Sequence, residues 1–116
     1  MLAVHGRFAS ETRRRQGAAN LEAIRRIREA LTIPVVSNGN IRNYSEAVNN
    51  LAFTGAAGVM SGEGILADPS IFSDSEAPAD PPALILLARQ YLDLCSLNPP
   101  PVRWASHHLL HIFEQL

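Results

Sequence analysis

The stretch IPVVSNGNIRN, residues 33–43, decides how this chain is to be understood. Ile33, Pro34, Val35 and Val36 make an apolar run of strand length, and Ser37-Asn38-Gly39-Asn40 ends it with residues that favour turns. Pro34 is tolerated near the start of a strand, where not every residue donates to the ladder. The pattern predicts a buried strand over 33–37 that hands its carboxyl end to a glycine turn. A helix should follow, capped by Ser45, with Ala47, Val48, Leu51 and Ala52 on one side. Gly55 stands where a left-handed residue usually closes a helix.

The same unit recurs on either side. Leu2-Ala3-Val4 is a short apolar run that opens into His5-Gly6-Arg7 and then an arginine-rich polar loop, FASETRRRQG. From Asn20, a suitable N-cap, Leu21, Ile24, Ile27 and Leu31 recur at helical spacing, with Glu22 in the first turn where the helix dipole favours it. Ala57 to Met60 is a third apolar run and ends in SGEG. Strand and helix thus alternate with short connections. The predicted class is α/β with parallel strands, because each crossover must return to the same end of the sheet.

Past residue 66 the character changes. Asp68-Pro69 is expected to start a short helix through Phe72. SDSEAPADPP, residues 73–82, has the composition of a linker. Two helices are expected over 83–97 and 102–116, separated by Asn98-Pro99-Pro100-Pro101.

Composition bounds the rest. With 116 residues, 47% of them hydrophobic and 18% charged, the chain is sized for one domain and composed like a globular protein. A formal net charge of -1 leaves nucleic acid open as a partner, since a basic face can sit on a neutral whole. No apolar run approaches the ~20 residues of a membrane span, and MLAVHGRFAS lacks the apolar core of a signal peptide. The lone Cys95 suits a reducing compartment. A cytoplasmic protein is expected, with the nucleus as the alternative. Met1 sits directly on an apolar run, which leads us to expect further residues upstream.

In parallel α/β architecture the loops after the strands share one face, and helix N-termini there offer N–H groups to anions. Gly39, Gly62 and Gly64 are expected to let the backbone approach a ligand closely, because they carry no Cβ. Two neighbouring glycine turns of this kind suit a phosphate. Taken singly, either turn is better explained by ordinary turn formation.

HGR (5–7), IPVVSNGNIRN (33–43) and TGAAGVMSGEGILADPSIF (54–72) together resemble the second half of tRNA-dihydrouridine synthases, most of all the eukaryotic branch acting on uridines 16 and 17. The resemblance implies that residues 1–72 are the C-terminal part of an FMN-binding (β/α)₈ TIM barrel, 73–82 a linker, and 83–116 the start of a helical tRNA-binding domain. It implies reduction of the uridine C5–C6 bond in the D-loop of tRNA by a flavin that NADPH or NADH has recharged. By motif, His5 would lie near the flavin and Arg7 beside the flavin or the substrate base. Asn38, Gly39 and Asn40 would line the ribityl phosphate. Gly62 and Glu63 would form the second phosphate turn with Ser61 and Gly64 flanking, Glu63 contributing its backbone N–H because its carboxylate would repel a phosphate. The partner implied is tRNA, with no membrane and no metal, and the complete protein is expected to be monomeric.

The departures from the family pattern are specific. After HGR the family continues with threonine, a basic residue and glutamine, whereas this chain has Phe8-Ala9-Ser10-Glu11-Thr12. The family's acid is a cysteine on an earlier barrel loop, and a flavin-contacting lysine also lies upstream. This chain has no lysine, and Cys95 falls at helical spacing with Tyr91, Leu92 and Leu97, the setting of a core thiol. The chain is therefore expected to be a fragment, inactive alone. A flavin barrel oxidoreductase of the dihydroorotate dehydrogenase kind, and a non-catalytic RNA-binding or vestigial module, are the alternatives.

Remaining side chains carry weaker signals. His107 and His111 are one helical turn apart, but their neighbours Leu109, Leu110, Ile112 and Phe113 supply no third ligand, so no metal is expected. Arg103 with His107 or His108 could meet tRNA phosphates, or simply form the polar face of an amphipathic helix. Arg13-Arg14-Arg15 has the same two readings. Trp104 and Tyr91 are expected in the core of the helical region.

Overall fold

The first helix follows from its own sequence. In the computed structural model, which describes residues 1–8, 17–73 and 80–114, α1 (Leu21–Ala30) is capped by Asn20, whose side chain accepts from the Ala23 N–H at 2.9 Å. Ile24 is fully buried while Arg25 pairs with Glu29 and Arg26 with Glu22, each at 3.2 Å on the exposed face. Such i,i+4 pairs add only a few tenths of a kcal/mol each. The apolar stripe is what orients the helix.

Three strands, β1 (Leu2–His5), β2 (Val35–Asn38) and β3 (Gly58–Met60), form a parallel sheet in the order β1-β2-β3. The middle strand starts two residues later than its apolar run suggests. Proline has no N–H to donate, and the Pro34 carbonyl serves only as an acceptor for Leu2 N–H at 2.9 Å. It also runs one residue further, because Asn38 pairs on both sides, with His5 and with Met60.

Helix α2 (Tyr44–Thr54) crosses between β2 and β3. Its cap is Asn43, not Ser45: Asn43 accepts from Glu46 N–H at 2.8 Å, and the Glu46 carboxylate reaches back to Arg42 N–H at 2.7 Å. This reciprocal arrangement satisfies two donors that a serine two residues later would leave unpaired. Gly55 closes the helix in the left-handed conformation, φ 63°, as its position suggested. Arg28 donates to the Gly55 carbonyl at 2.9 Å and ties the ends of α1 and α2 together.

After β3 the structure departs from the sequence reading. A five-residue helix, α3 (Glu63–Ala67), starts directly after Gly62, and 68–72 is a turn instead of a helix. Asp68 caps nothing downstream; its carboxylate accepts from Ser70 N–H at 2.9 Å and forms a local turn. Ile71 is thereby folded back into a core cluster with Ile41 and Ala47, against which Val59 packs.

Helix α4 (Pro81–Leu97) begins within the expected linker, since Asp80 accepts from Ala83 N–H and Pro81 takes the first helical position. Helix α5 (Val102–Phe113) follows and packs on both α4 and α3. Leu84, Ala88 and Ile112 form its buried seam. Two helices share one seam only, so Trp104, Leu92 and Leu97 are exposed rather than in the core, Leu97 at 75%. Cys95 is half-buried. Among the described residues no helix is long and apolar enough to cross a membrane.

The seam predicts a sharp contrast within one helix. Leu84→Ala should cost about 2–5 kcal/mol of unfolding free energy by denaturant titration. Leu97→Ala should stay within about 0.5 kcal/mol. Equal losses would show that the seam is not where α4 draws its stability.

Candidate functional site

The register brings the three strand ends to one level, with His5 opposite Asn38 and Asn38 opposite Met60. Beyond that level lies a cleft of about 340 Å³. All eight residues that the sequence nominated for the flavin line it: His5, Arg7, Asn38, Gly39, Asn40, Ser61, Gly62 and Glu63. Gly64, Ile41, Met60 and Arg42 complete the wall.

The turn after β2 is unusual at two successive residues. Gly39 has φ 120° and Asn40 has φ 57°. Asparagine is among the few residues that tolerate the left-handed region, because its short amide bonds locally. Here that amide behaves like a peptide group. Its Oδ1 accepts from Ala19 N–H at 2.7 Å and its Nδ2 donates to the Ala19 carbonyl at 2.9 Å. The segment before α1 is thus clamped beneath the turn, and Asn20 N–H donates to the Gly6 carbonyl at 2.7 Å on the β1 side. Asn50, buried on α2, donates to the Gly39 carbonyl at 3.1 Å.

A second stitch joins the two glycine turns. Ser61 Oγ donates to the Ile41 carbonyl at 2.8 Å. Gly64 sits so close behind it that a Cβ would lie 2.6 Å from the Ile41 oxygen. Likewise a Cβ on Gly39 would lie 2.7 Å from the Ala19 Cβ. These two glycines have a reason within the protein itself: their missing side chains make room for the Ala19 side chain and the Ile41 carbonyl. Of the three glycines that line the cleft, Gly62 alone would have a Cβ that meets nothing within 4 Å, so its backbone faces open space.

The polar groups of the cleft divide into committed and uncommitted. Asn40 is committed to Ala19. Arg7 donates through Nε to the Gly17 carbonyl at 2.9 Å, and its Nη1 lies 3.5 Å from His5 Nε2. Among the described residues, the Asn38 amide and the Arg42 guanidinium make no hydrogen bond or ion pair. Arg42 was not nominated from the sequence. Its signal was present, a cation directly after the glycine turn in Asn40-Ile41-Arg42, but it belongs to no motif that singles it out.

The α5 candidates lie elsewhere. Arg103 and His107 are exposed, and the His107 ring meets His111 edge-on at 4.5 Å. His111 Nδ1 is 2.9 Å from the Glu114 carboxylate. His108 Nδ1 is 2.8 Å from the Tyr91 hydroxyl, an interhelical bond that holds α5 on α4. No group of three or more His, Cys, Asp or Glu among the described residues could hold a metal. Arg13-Arg14-Arg15 lies outside the described residues.

The dihydrouridine synthase model matches residues 1–109. The chain belongs to the dihydrouridine synthase family. It is 36% identical, over 123 aligned positions, to a Rattus norvegicus tRNA-dihydrouridine(16/17) synthase (NAD(P)(+))-like protein; the alignment takes in all of this chain and 27% of the rat protein. The Mus musculus protein of the same name is 35% identical over the whole chain and 25% of its own length. A Homo sapiens tRNA-dihydrouridine(20a/20b) synthase (NAD(P)+)-like protein is 32% identical over 99% of the chain and 34% of its own length. As a dihydrouridine synthase chain, it spans about a quarter of the 16/17-named relatives it matches.

The glycine assignments are separable by substitution. Gly39→Ala should lose about 1–3 kcal/mol or more, from the left-handed backbone and the contact with Ala19 together. Gly62→Ala should stay within about 0.5 kcal/mol of the parent in the same denaturant titration. The Tyr91 phenol has a pH signature. Partial burial, and after it the neighbouring Cys95 thiol, raise the Tyr91 phenol above the ordinary tyrosine value of 10.0. The fold thus prefers the protonated phenol, whose contribution is complete below pH 10 and falls as pH rises through the folded value. Tyr91→Phe should remove this alkaline slope and cost about 0.5–1.5 kcal/mol at neutral pH.

Proposed function

We propose that this chain is the flavin-phosphate portion of an FMN-dependent tRNA-dihydrouridine synthase that reduces uridine to 5,6-dihydrouridine in the D-loop, at positions 16 and 17. On this reading residues 1–72 belong to a (β/α)₈ barrel, 73–82 form the joint, and 83–116 open a helical tRNA-binding domain. Family membership supports the reaction, and the 16/17-named relatives that align along the whole chain support the position. Parallel strands joined by crossover helices, with glycine turns gathered at one end, are what such a barrel portion requires.

One observation carries the cofactor reading: two strand-end turns are locked to each other by Ser61 and Ile41, yet present uncommitted donors to one cleft. A phosphorylated flavin fits that donor set. The Asn38 amide is available, and the backbone at Gly62 is open. Helix α3 starts without a side-chain cap, leaving its first N–H groups, Glu63 included, to a ligand acceptor. The Glu63 carboxylate has to turn away from a phosphate, so its backbone is what it offers. When bound, FMN would supply the hydride to the uridine C5–C6 bond, having received one from NADPH or NADH.

The chain's own residues would grip, shape and orient. Asn40 holds the first turn open by its bonds to Ala19. Arg7, fixed by Gly17, presents its guanidinium beside His5 at the rim, where flavin and base would meet. Exposed Arg103 and His107 would meet tRNA phosphates, whose contacts position the substrate without reading sequence. The proton donor is assigned to residues outside this chain, because Cys95 lies on α4 and does not line the cleft.

The test has two parts. Reconstitution with FMN should yield a yellow protein that releases flavin on denaturation; failure to retain flavin would sink the cofactor reading. With FMN, NADPH and an unmodified tRNA transcript, the 116-residue chain should give no dihydrouridine above background. Turnover by this chain would refute the assignment of the proton donor elsewhere.

A further inference from the structure

We propose that Arg42 binds the phosphate of the flavin and makes the cleft selective for FMN over riboflavin. The inference rests on the flavin reading above, and it concerns a residue that no motif nominates. Its basis is where the cleft keeps its positive charge. Two guanidinium groups line the wall, and Arg7 is turned to Gly17 through its Nε. Arg42 is exposed at the lip and makes no side-chain bond among the described residues.

The peptide group that joins Ile41 to Arg42 is held at both its N–H and its carbonyl. The Arg42 N–H donates to Glu46 at 2.7 Å, and the Ile41 carbonyl accepts from Ser61 at 2.8 Å. An arginine anchored in this way gives up only side-chain freedom on engaging a ligand, which lowers the cost of binding. Glu46, the acidic neighbour, lays one carboxylate oxygen on the Arg42 N–H, and among the described residues it makes no ion pair with the Arg42 guanidinium.

Charge balance asks for such a residue. A phosphate monoester carries about −1.5 to −2 at neutral pH, and the acidic residue Glu63 lines the same wall. Neutral amides at Asn38 and the turn backbone can orient a phosphate but cannot offset that repulsion. The Asn40 side chain offers nothing further, since both ends of its amide are used on Ala19. A guanidinium supplies a full charge and a planar fork matched to two phosphate oxygens.

Flavin fluorescence quenching on the purified protein tests this with two ligands that differ only by the phosphate. Arg42→Ala should weaken FMN binding roughly 10- to 100-fold, the range for a charge-assisted bond, and leave riboflavin binding unchanged. Arg42→Lys, which keeps the charge and loses the fork, should fall between. Glu63→Gln should tighten FMN and not riboflavin. Unchanged FMN affinity in Arg42→Ala would overturn the proposal. An equal loss for both ligands would also overturn it, by showing that Arg42 shapes the turn instead of touching phosphate. Unchanged FMN affinity with a loss of tRNA binding would reassign Arg42 to the RNA backbone. If the parent protein binds neither flavin, the flavin reading itself falls and Arg42 with it, an outcome distinct from the other three.

Discussion

The paired hydrogen bonds between the Asn40 amide and the Ala19 backbone, 2.7 and 2.9 Å, hold the functional end of this molecule in shape. A turn with two successive positive φ angles is costly for any residue but glycine and, locally, asparagine. It persists because the same side chain that tolerates the conformation also satisfies a buried donor and acceptor from another segment. Remove that pairing and the Ala19 N–H and carbonyl lose their partners, the segment before α1 loses its anchor, and Gly39 loses the wall against which it packs.

From that constraint the site is assembled outward. Ser61 transmits the position of the first turn to the second through Ile41, and Gly64 permits the approach by having no side chain. Ile71, folded back by the turn at Asp68, packs behind Gly64 and closes the core under the cleft. Most side-chain amides and hydroxyls in the region serve the scaffold. Among the described residues, the groups that remain for a ligand include the backbone at Gly62, the first N–H groups of α3, the Asn38 amide and, by inference, the Arg42 guanidinium. A site built in this way is preorganised, because its backbone donors are held by bonds that do not involve the ligand.

Family membership and this geometry bear on different questions. Likeness along the whole chain to proteins named for dihydrouridine formation directs attention to tRNA and a nicotinamide. The geometry speaks to how a phosphorylated cofactor would be held. That division matches what the chain contains: glycine turns that line a cleft, and a single cysteine that is not among the lining residues.

The sequence by itself determined the α/β alternation, the parallel sheet and the set of residues at the strand ends, because those depend on local periodicity and on glycine and asparagine chemistry. It also determined the caps at Asn20 and Gly55, which need only neighbouring residues. Tertiary structure decided the rest. Asn43 displaced Ser45 as a cap because Glu46 completes a reciprocal pair, and α3 replaced a helix at 68–72 because Ile71 is drawn under Gly64. Trp104 lies outside the core because α4 and α5 share one seam. The roles of Gly39 and Asn40 were hidden for the same reason: Ala19, their partner, is about twenty residues away in the chain, and no local pattern encodes a contact over that distance.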